Sequence, residues 1–127
     1  MEGYRPRVIL SAAISLDGKL ATRTGDSKLS SQRDKIRVHK LRSKFDAILV
    51  GKNTIEIDDP LLTVRGVKGK NPVRVILDSK ATIRASSKIL RTCSKIPTII
   101  AVSKMAKKKN LEKLKKFPVV VKVCGNN

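Results

Sequence analysis

The chain has 127 residues, of which 40% are apolar, and its 29 Lys or Arg against 10 Asp or Glu give a formal net charge of +19 at pH 7. This length predicts a single domain, residues 1–127, that buries roughly two-thirds of the surface its unfolded chain would expose. The only aromatic residues are Tyr4, Phe45 and Phe117. We therefore expect an aliphatic core, and the composition excludes an aromatic stacking platform for single-stranded nucleic acid.

The positive charge raises nucleic acid as a partner, because Lys and Arg gain affinity by releasing counterions from phosphates. The basic residues are spread over most of the chain, however, which disfavours this class of partner. The one dense run, KMAKKKNLEKLKKF at Lys104–Phe117, is typical of a helix with a solvated lysine face. A polyanion-binding surface is the alternative interpretation of the same run.

The cysteine residues and the hydropathy of the chain indicate its cellular compartment. Cys93 and Cys124 lie far apart, with no His or Cys at metal-ligand spacing, so we expect reduced thiols and no metal site. The N-terminal MEGYRPRVIL lacks the apolar stretch of a signal peptide, and no run approaches the ~20 apolar residues that span a bilayer. The sequence predicts a cytoplasmic protein without a membrane partner.

The first predicted elements are a strand, a helix and a second strand. The apolar run VILSAAIS, Val8–Ser15, predicts a buried strand that ends on the Asp-Gly turn of LDGKLAT. Ser30 or Ser31 is placed to cap a helix over residues 32–45, where apolar residues recur near helical spacing. The strand DAILVG follows and ends at Gly51.

The remaining predicted elements continue this alternation. They are a helical turn at Asn53–Ile57, strands at Val73–Asp78 and Thr98–Val102, the lysine helix, and a strand at Val119–Val123. Apolar strands interleaved with helices are typical of a mostly parallel sheet covered on both faces. Ligands bind beyond the carboxyl ends of such strands, which indicates Ser15–Lys19, Gly51–Thr54 and Asp78–Lys80 as site segments.

Four segments at strand ends or in the following loops occur in the order AAISLDGKLAT, GDSKLSSQRDKIRVHKLRS, ILVGKNTIEIDDPLLTVR and NPVRVILDSK. Together they closely resemble the reductase family of riboflavin biosynthesis. The resemblance implies an α/β, dihydrofolate-reductase-like fold with a mostly parallel central sheet flanked by helices. It also implies NADPH-dependent reduction of the ribosylamino side chain of a pyrimidinone 5′-phosphate to a ribitylamino group.

The resemblance implies roles for several residues on the substrate side. Arg42 and Arg65 match the family's substrate-binding arginines, together with Ser27 and the backbone around Leu62. Guanidinium forks suit this role because they bind phosphate oxygens through two parallel hydrogen bonds. Lys19 is the candidate catalytic residue, since a lysine or its bound water near the sugar ring oxygen would assist ring opening by proton transfer.

The two adjacent carboxylates in NTIEIDDPLLTVR, Asp58 and Asp59, are expected to have different roles. Asp58 is placed to accept hydrogen bonds from the cofactor, whereas Asp59, which precedes a proline, is expected to hold an extended turn. Ser79 and Lys80 suit a 2′-phosphate, although Asp78 would repel that phosphate if its carboxylate pointed the same way, so the preference for NADPH is expected mainly from the resemblance. The cofactor contacts that the resemblance implies are Ala13, Leu29, Thr54, Asp58 and Ser79.

Two further expectations concern His39 and the end of the chain. His39 falls within the first predicted helix and is interpreted as a surface residue rather than a base. Family members continue past Asn127 into a glycine-rich VEGG-type loop that holds the cofactor diphosphate and whose glutamate reaches the substrate. We therefore expect a fold that is incomplete at the C-terminus, in a fragment of a longer, homodimeric reductase. The alternatives are a shortened, catalytically incomplete relative and a basic polyanion-binding module on the same scaffold.

Overall fold

The computed structural model describes residue 3, residues 5–12 and residues 31–125. Within these residues helices and strands alternate along the chain, which confirms the predicted α/β class. The elements are α1 (Gln32–Arg42), β1 (Ala47–Gly51), α2 (Lys52–Asp58), β2 (Val73–Leu77), α3 (Lys88–Arg91), β3 (Thr98–Val102), α4 (Lys108–Leu114) and β4 (Val120–Val123).

The four strands form one sheet in the order β1-β2-β3-β4, and every neighbouring pair is parallel. This arrangement confirms the mostly parallel sheet for the described residues. Gly51 lies opposite Leu77, and Leu77 lies opposite Ala101. The carboxyl ends of the first three strands therefore meet at one edge of the sheet, where the following loops converge.

The core is aliphatic, as the composition predicts. Ile76 of β2 and Ile100 of β3 are fully buried in the middle of the sheet. They belong to one cluster with Ile55 of α2, Ile89 of α3 and Leu114 of α4. Each such side chain contributes about 1.5–3 kcal/mol on burial. Three short helices are thus held on the sheet mainly by one or two apolar side chains each.

The first helix begins where one of the two candidate serines caps it. The Ser31 hydroxyl accepts a hydrogen bond from the Asp34 N–H at 3.2 Å, which satisfies a main-chain donor at the helix start. The helix ends at Arg42 rather than at Phe45, and the Ser43 hydroxyl donates to the Lys40 carbonyl oxygen at 2.6 Å. None of the eleven residues of α1 is buried, and Ile36 is 51% exposed.

The lysine helix is shorter than predicted, although its lysine face is solvated as expected. Its start moves to Lys108 because the Ser103 hydroxyl accepts from the Met105 N–H at 3.1 Å and holds the preceding residues in a turn. Its end moves to Leu114, shortly before Pro118, and a residue that precedes proline is disfavoured in helical conformation.

The predicted buried strand at Val8–Ser15 is wrong for its described part, residues 8–12. These residues form neither helix nor strand, and Val8 and Leu10 are 81% and 92% exposed. An apolar run becomes a strand only when its main-chain groups find a ladder partner, and no strand among the described residues pairs with it. Positions 13–15 lie outside the described residues.

Candidate functional site

A cleft of about 380 Å³ lies at the carboxyl edge of β1 and β2. Two of the three predicted site segments meet here, because parallel strands end at the same edge. Ser15–Lys19, the third segment, lies outside the described residues. The cleft is lined by Gly51, Lys52, Asn53, Leu77, Asp78, Ser79, Lys80 and Thr82.

Asp78 shapes the loop that forms one wall of this cleft. Its carboxylate is buried, with 2% exposure, and accepts hydrogen bonds from the Ile83 N–H at 2.8 Å and the Thr82 hydroxyl at 3.4 Å. Ala81 adopts a φ of +57° in the turn between them, and its N–H donates to the Asp78 carbonyl oxygen. The negative charge is therefore committed to the loop and does not face the cleft as a bare carboxylate.

Ser79 and Lys80 are anchored through their main chain and exposed through their side chains. The Ser79 carbonyl oxygen accepts from both the N–H and the hydroxyl of Ser103, each at 2.9 Å. The Lys80 carbonyl oxygen accepts from the Asn110 side-chain amide at 3.2 Å. Both side chains line the cleft, so an anionic ligand there would meet a hydroxyl and an ammonium on a fixed backbone.

The helix α2 presents a second polar feature beside the cleft. Lys52 lines the cleft, and its Nζ lies 3.0 Å from the Thr82 hydroxyl and 3.3 Å from Oε1 of Glu56. Thr54 and Asp58 are four residues apart and therefore share one face of this helix. Neither of these two predicted cofactor contacts lines the cleft itself; Thr54 is half-buried and Asp58 is exposed.

The acidic turn after α2 differs from the prediction. Asp59 is not extended but adopts left-handed values, φ 43° and ψ 54°, and its N–H donates to the Ile55 carbonyl oxygen to end the helix. Asp is one of the few residues that tolerate this conformation. Its carboxylate accepts from the Lys88 N–H at 2.8 Å and so ties the turn to the start of α3. The prediction that Asp59 holds a turn is correct in role, but the conformation is wrong.

The loop that follows, residues 61–71, is held by side chains. Leu62 is buried, with 3% exposure, and has a φ of +56°. The carbonyl oxygen of Leu61 accepts from Nη1 of Arg74 at 3.0 Å, and the Val64 N–H donates to the side-chain oxygen of Asn71 at 2.8 Å. The contribution of the backbone around Leu62 to substrate binding stays a prediction, and side chains hold this segment on both sides of Leu62.

Arg74 is a fully buried cation that the sequence interpretation missed. Its Nε and Nη2 both donate to the Thr98 hydroxyl, at 3.1 and 2.9 Å, and Nη2 also donates to the Ile89 carbonyl oxygen at 2.9 Å. Its Nη1 donates to Leu61 and, at 2.9 Å, to the Thr92 hydroxyl. The charge is surrounded by neutral acceptors, and burial lowers the pKa of Arg74. The signal in the sequence was a charged residue inside the apolar strand VRVILD.

Arg42, Arg65 and His39 meet around one peptide of the loop. Nη1 of Arg42 donates to the Thr63 carbonyl oxygen at 3.2 Å, while Nε of Arg42 is buried and has no hydrogen-bond partner among the described residues. The Arg65 N–H donates to Nδ1 of His39 at 3.1 Å, and the same Nδ1 lies 3.0 Å from the Thr63 carbonyl oxygen. The two predicted substrate-binding arginines are therefore brought together.

The electrostatics of this cluster favour an anion. Burial lowers the pKa of Arg42, and the nearby charge of Arg65 lowers it further. Burial also lowers the pKa of His39, with Arg42 and Arg65 adding to this effect and the Thr63 carbonyl oxygen opposing it. Positive groups that destabilise one another in this way gain when an anion binds between them.

Four of the predicted site residues, Ala13, Lys19, Ser27 and Leu29, lie outside the described residues. His39 is half-buried and bonded to the loop rather than simply exposed, which the sequence interpretation also missed. Its position three residues before Arg42 on a helix, and so on the same face, was the available signal. Among the described residues no group of three or more His, Cys, Asp or Glu is arranged to hold a metal ion. No described helix is long and apolar enough to cross a membrane.

The described residues thus form a parallel α/β sheet with a cleft beyond its strand ends and a separate arginine cluster, and ligands bind at such edges in sheets of this class. The chain belongs to the RibD C-terminal domain family, whose model matches residues 6–125. This is the reductase family of riboflavin biosynthesis that the motifs indicated.

The chain is similar to named reductases over most of its length. It is 48% identical over 120 residues to the 2,5-diamino-6-ribosylamino-4(3H)-pyrimidinone 5′-phosphate reductase of Methanothermobacter thermautotrophicus, covering 92% of this chain and 55% of the relative. It is 42% identical over 127 residues to the reductase of the same name from Aquifex aeolicus, covering 96% of this chain and 56% of the relative. The chain thus spans about half the length of these curated relatives.

A solved structure supports the fold assignment. The diaminohydroxyphosphoribosylaminopyrimidine deaminase/5-amino-6-(5-phosphoribosylamino)uracil reductase of Thermotoga maritima matches with a TM-score of 0.66 and 30% identity. The match covers 90% of this chain and 37% of that chain. It confirms the dihydrofolate-reductase-like α/β fold that the resemblance implied.

Proposed function

We propose that this chain contributes the substrate-anion site and part of the cofactor site of a reductase that converts a ribosylaminopyrimidinone 5′-phosphate to its ribitylamino product with NADPH. The observation that carries the proposal is the cluster of Arg42 and Arg65 around the Thr63 peptide, in a chain similar to enzymes named for this reaction. The buried Nε of Arg42, which has no partner among the described residues, supports an anionic ligand because a desolvated donor gains most from a charged acceptor.

The substrate phosphate is assigned to the two guanidinium groups. Arg42 is fixed by its bond to Thr63, whereas the Arg65 side chain is exposed and forms no hydrogen bond or ion pair with another described residue. One guanidinium group fixed on the loop and one exposed guanidinium group together match the several oxygens of a phosphate ester. The buried Leu62 sets the direction in which the loop reaches Arg65, and Ser27 completes the substrate contacts in this proposal.

The cofactor is assigned to the edge of the sheet. Ser79 and Lys80 line the cleft, Lys52 adds a second ammonium, and the carboxylate of Asp78 is turned into its own loop. This residue set fits a 2′-phosphate and supports NADPH over NADH. The further cofactor contacts of the proposal are Ala13, Leu29, Thr54 and Asp58.

The reduction needs a hydride at C1′ of the sugar and a proton at the ring oxygen. NADPH supplies the hydride when bound. Breaking the C1′–O4′ bond leaves the nitrogen doubly bonded to C1′, and Lys19 or its bound water donates the proton to O4′. A hydride supplied at C1′ would complete the reduction to the open ribityl chain. The residues of this chain orient the phosphate and move that proton.

A chimera tests the proposal, because the matched relatives are about twice as long as the chain. This chain is joined to the part of the Methanothermobacter thermautotrophicus reductase that follows its matched segment, to give the chimeric reductase. We expect it to oxidise NADPH in the presence of the 2,5-diamino-6-ribosylamino-4(3H)-pyrimidinone 5′-phosphate and to form the ribitylamino product. The natural relative is the positive control. A folded chimera that forms no product would contradict the proposal.

A further inference from the structure

One ring nitrogen of His39 lies between two main-chain groups of the same loop. Nδ1 is 3.1 Å from the N–H of Arg65 and 3.0 Å from the carbonyl oxygen of Thr63. An unprotonated Nδ1 accepts a hydrogen bond, and a protonated Nδ1 donates one. The nitrogen therefore cannot satisfy both groups at once, and its protonation state selects which of the two it bonds.

The neutral tautomer that carries its proton on Nε2 leaves both main-chain groups satisfied. The Thr63 carbonyl oxygen also accepts from Nη1 of Arg42 at 3.2 Å, so it does not depend on His39. The Arg65 N–H has Nδ1 as its acceptor. Protonation would give Thr63 a second donor and leave the Arg65 N–H facing a cation, so the hydrogen bond that holds this N–H would be lost.

His39 is the part of this loop's support that titrates near neutral pH. The other supports are the Arg74 bond to Leu61, the Arg42 bond to Thr63 and the Asn71 bond to Val64, and none of these side chains changes charge in that range. Gly66 follows Arg65 with a φ of +73°, so the chain turns away immediately after the held residue. Release of the Arg65 N–H would therefore act at the end of the supported stretch.

We propose that His39 is a positioning residue which holds Arg65 in place for an anionic ligand when Nδ1 carries no proton and releases it when protonation of the ring places a proton on Nδ1. The inference rests on the proposed function for the identity of that ligand as a sugar phosphate. The charged groups that face the ring are Arg42, from α1 itself, and Arg65, from the loop. Both oppose protonation, as does burial, while the Thr63 carbonyl oxygen favours it, and the net effect lowers the pKa so that the neutral ring predominates at neutral pH. The Arg65 N–H, which has Nδ1 as its acceptor, favours the neutral tautomer with the proton on Nε2.

Two substitutions at His39 distinguish a role in positioning Arg65 from a role in packing alone. His39→Asn places an amide oxygen near the position of Nδ1, so it accepts from Arg65 but does not ionise. His39→Leu has similar bulk and no acceptor. Arg37→Leu, on the exposed side of the same helix, is the matched control. The variants are made in the 127-residue chain, and the Arg65 amide is followed by ¹⁵N NMR from pH 5 to 8.

We expect the Arg65 amide shift to titrate together with the His39 ring, with a midpoint below the ordinary histidine value. This titration should vanish in His39→Asn, while the amide stays protected from hydrogen exchange. In His39→Leu protection should fall about fivefold, as expected for one net hydrogen bond. The inference would be overturned if the chemical shift of the Arg65 amide does not change as His39 titrates, or if this amide stays fully protected from exchange in His39→Leu.

Ribose 5-phosphate is the probe for the ligand. We expect its dissociation constant to rise about fivefold in His39→Leu and to return to the original value in His39→Asn at pH 7.5. The Arg65 amide could behave as expected while the dissociation constant of ribose 5-phosphate is the same in every variant. That result would confirm that His39 positions Arg65. The assignment of Arg65 to a sugar phosphate, and with it the proposed substrate site, would then be overturned.

Discussion

Arg74 lies wholly inside the protein and donates through Nη1 to the main-chain carbonyl oxygen of Leu61, 3.0 Å away. The same guanidinium bonds the Thr98 hydroxyl in β3 and the Ile89 carbonyl oxygen in α3. A single cation, which has no carboxylate partner among the described residues, thus connects the loop of the candidate substrate site to two elements of the core.

The first prediction concerns the stability that this connection provides. Arg74→Met should lower the free energy of unfolding by about 2–4 kcal/mol, because buried acceptors left without a donor cost about 1–3 kcal/mol each. Urea unfolding followed by circular dichroism measures the change. Arg84→Met is the matched control, since Arg84 is exposed and, among the residues that the structure describes, donates only to the Glu56 carbonyl oxygen, and it should change stability by under about 0.5 kcal/mol. Equal losses in the two variants would contradict a special role for Arg74.

The second prediction concerns the pH dependence of stability. The pKa of His39 is lowered in the folded protein, so the folded state binds its proton less readily than the unfolded state does. The resulting stabilisation is present above about pH 6.5, the ordinary histidine value, and is lost as the pH falls through it towards the folded pKa. His39→Asn should flatten the stability curve between about pH 7 and pH 5. A curve of unchanged slope in that variant would show that other groups cause the loss.

The third prediction concerns Arg65→Lys in the chimeric reductase. A lysine keeps the charge but loses the two-pronged contact with phosphate, so kcat/KM for the substrate should fall by roughly ten- to hundredfold, or about 1.5–3 kcal/mol. The NADPH dissociation constant, followed by nicotinamide fluorescence, should stay constant. If the cofactor constant rises while the substrate KM does not change, Arg65 belongs to the cofactor site instead.

The fourth prediction concerns cofactor choice. Lys80→Glu should reduce the preference of the chimeric reductase for NADPH over NADH by roughly three- to tenfold, a modest effect because Lys80 is exposed and screened by solvent. Lys113→Glu makes the same change of charge on α4 and serves as the control. The ratio of the two dissociation constants is the measurement. An identical ratio in both variants would remove Lys80 from the 2′-phosphate site.

The fifth prediction concerns association between copies of the chain. Within the part of the chain that the structure describes, the strand β1 forms one edge of the four-stranded sheet, and Leu49 in its middle is 59% exposed. An apolar edge strand is a template for pairing with another chain. We expect the 127-residue chain to form dimers, which sedimentation equilibrium detects, and Leu49→Lys to weaken them. Met105→Lys, at an exposed apolar residue just before α4, should leave association unchanged.

Much of the sheet could be predicted because its strands are continuous apolar runs. TIIAV matched β3 at both ends, and VRVILD matched β2 to within one residue. The helix ends were harder, because they depend on individual hydrogen bonds such as that of Ser103 to Met105. The short helix α3 was missed altogether, since four residues carry no periodicity. Its one local signal is the cap formed by Ser87 on the Leu90 N–H.

The candidate site also has some features that the sequence predicted and others that it did not. Motif spacing indicated Arg42 and Arg65, and the structure places them around one peptide. It could not indicate that His39 and Arg74 hold the same loop, because those bonds join residues 26 and 13 positions apart in the chain. Such contacts are set by how the helix and the strand pack, which local pattern does not determine.

The carboxylate of Asp78 accepts a hydrogen bond within its own loop and so fixes the backbone at this edge of the sheet. It sets the loop together with main-chain groups of Ser79 and Lys80, so the shape of the loop does not depend on either of their side chains. In the proposed cofactor site, mutation at these two positions would therefore change the ligand preference without a new backbone having to evolve. The same separation makes them natural positions for a small combinatorial library, with Asp78 kept invariant.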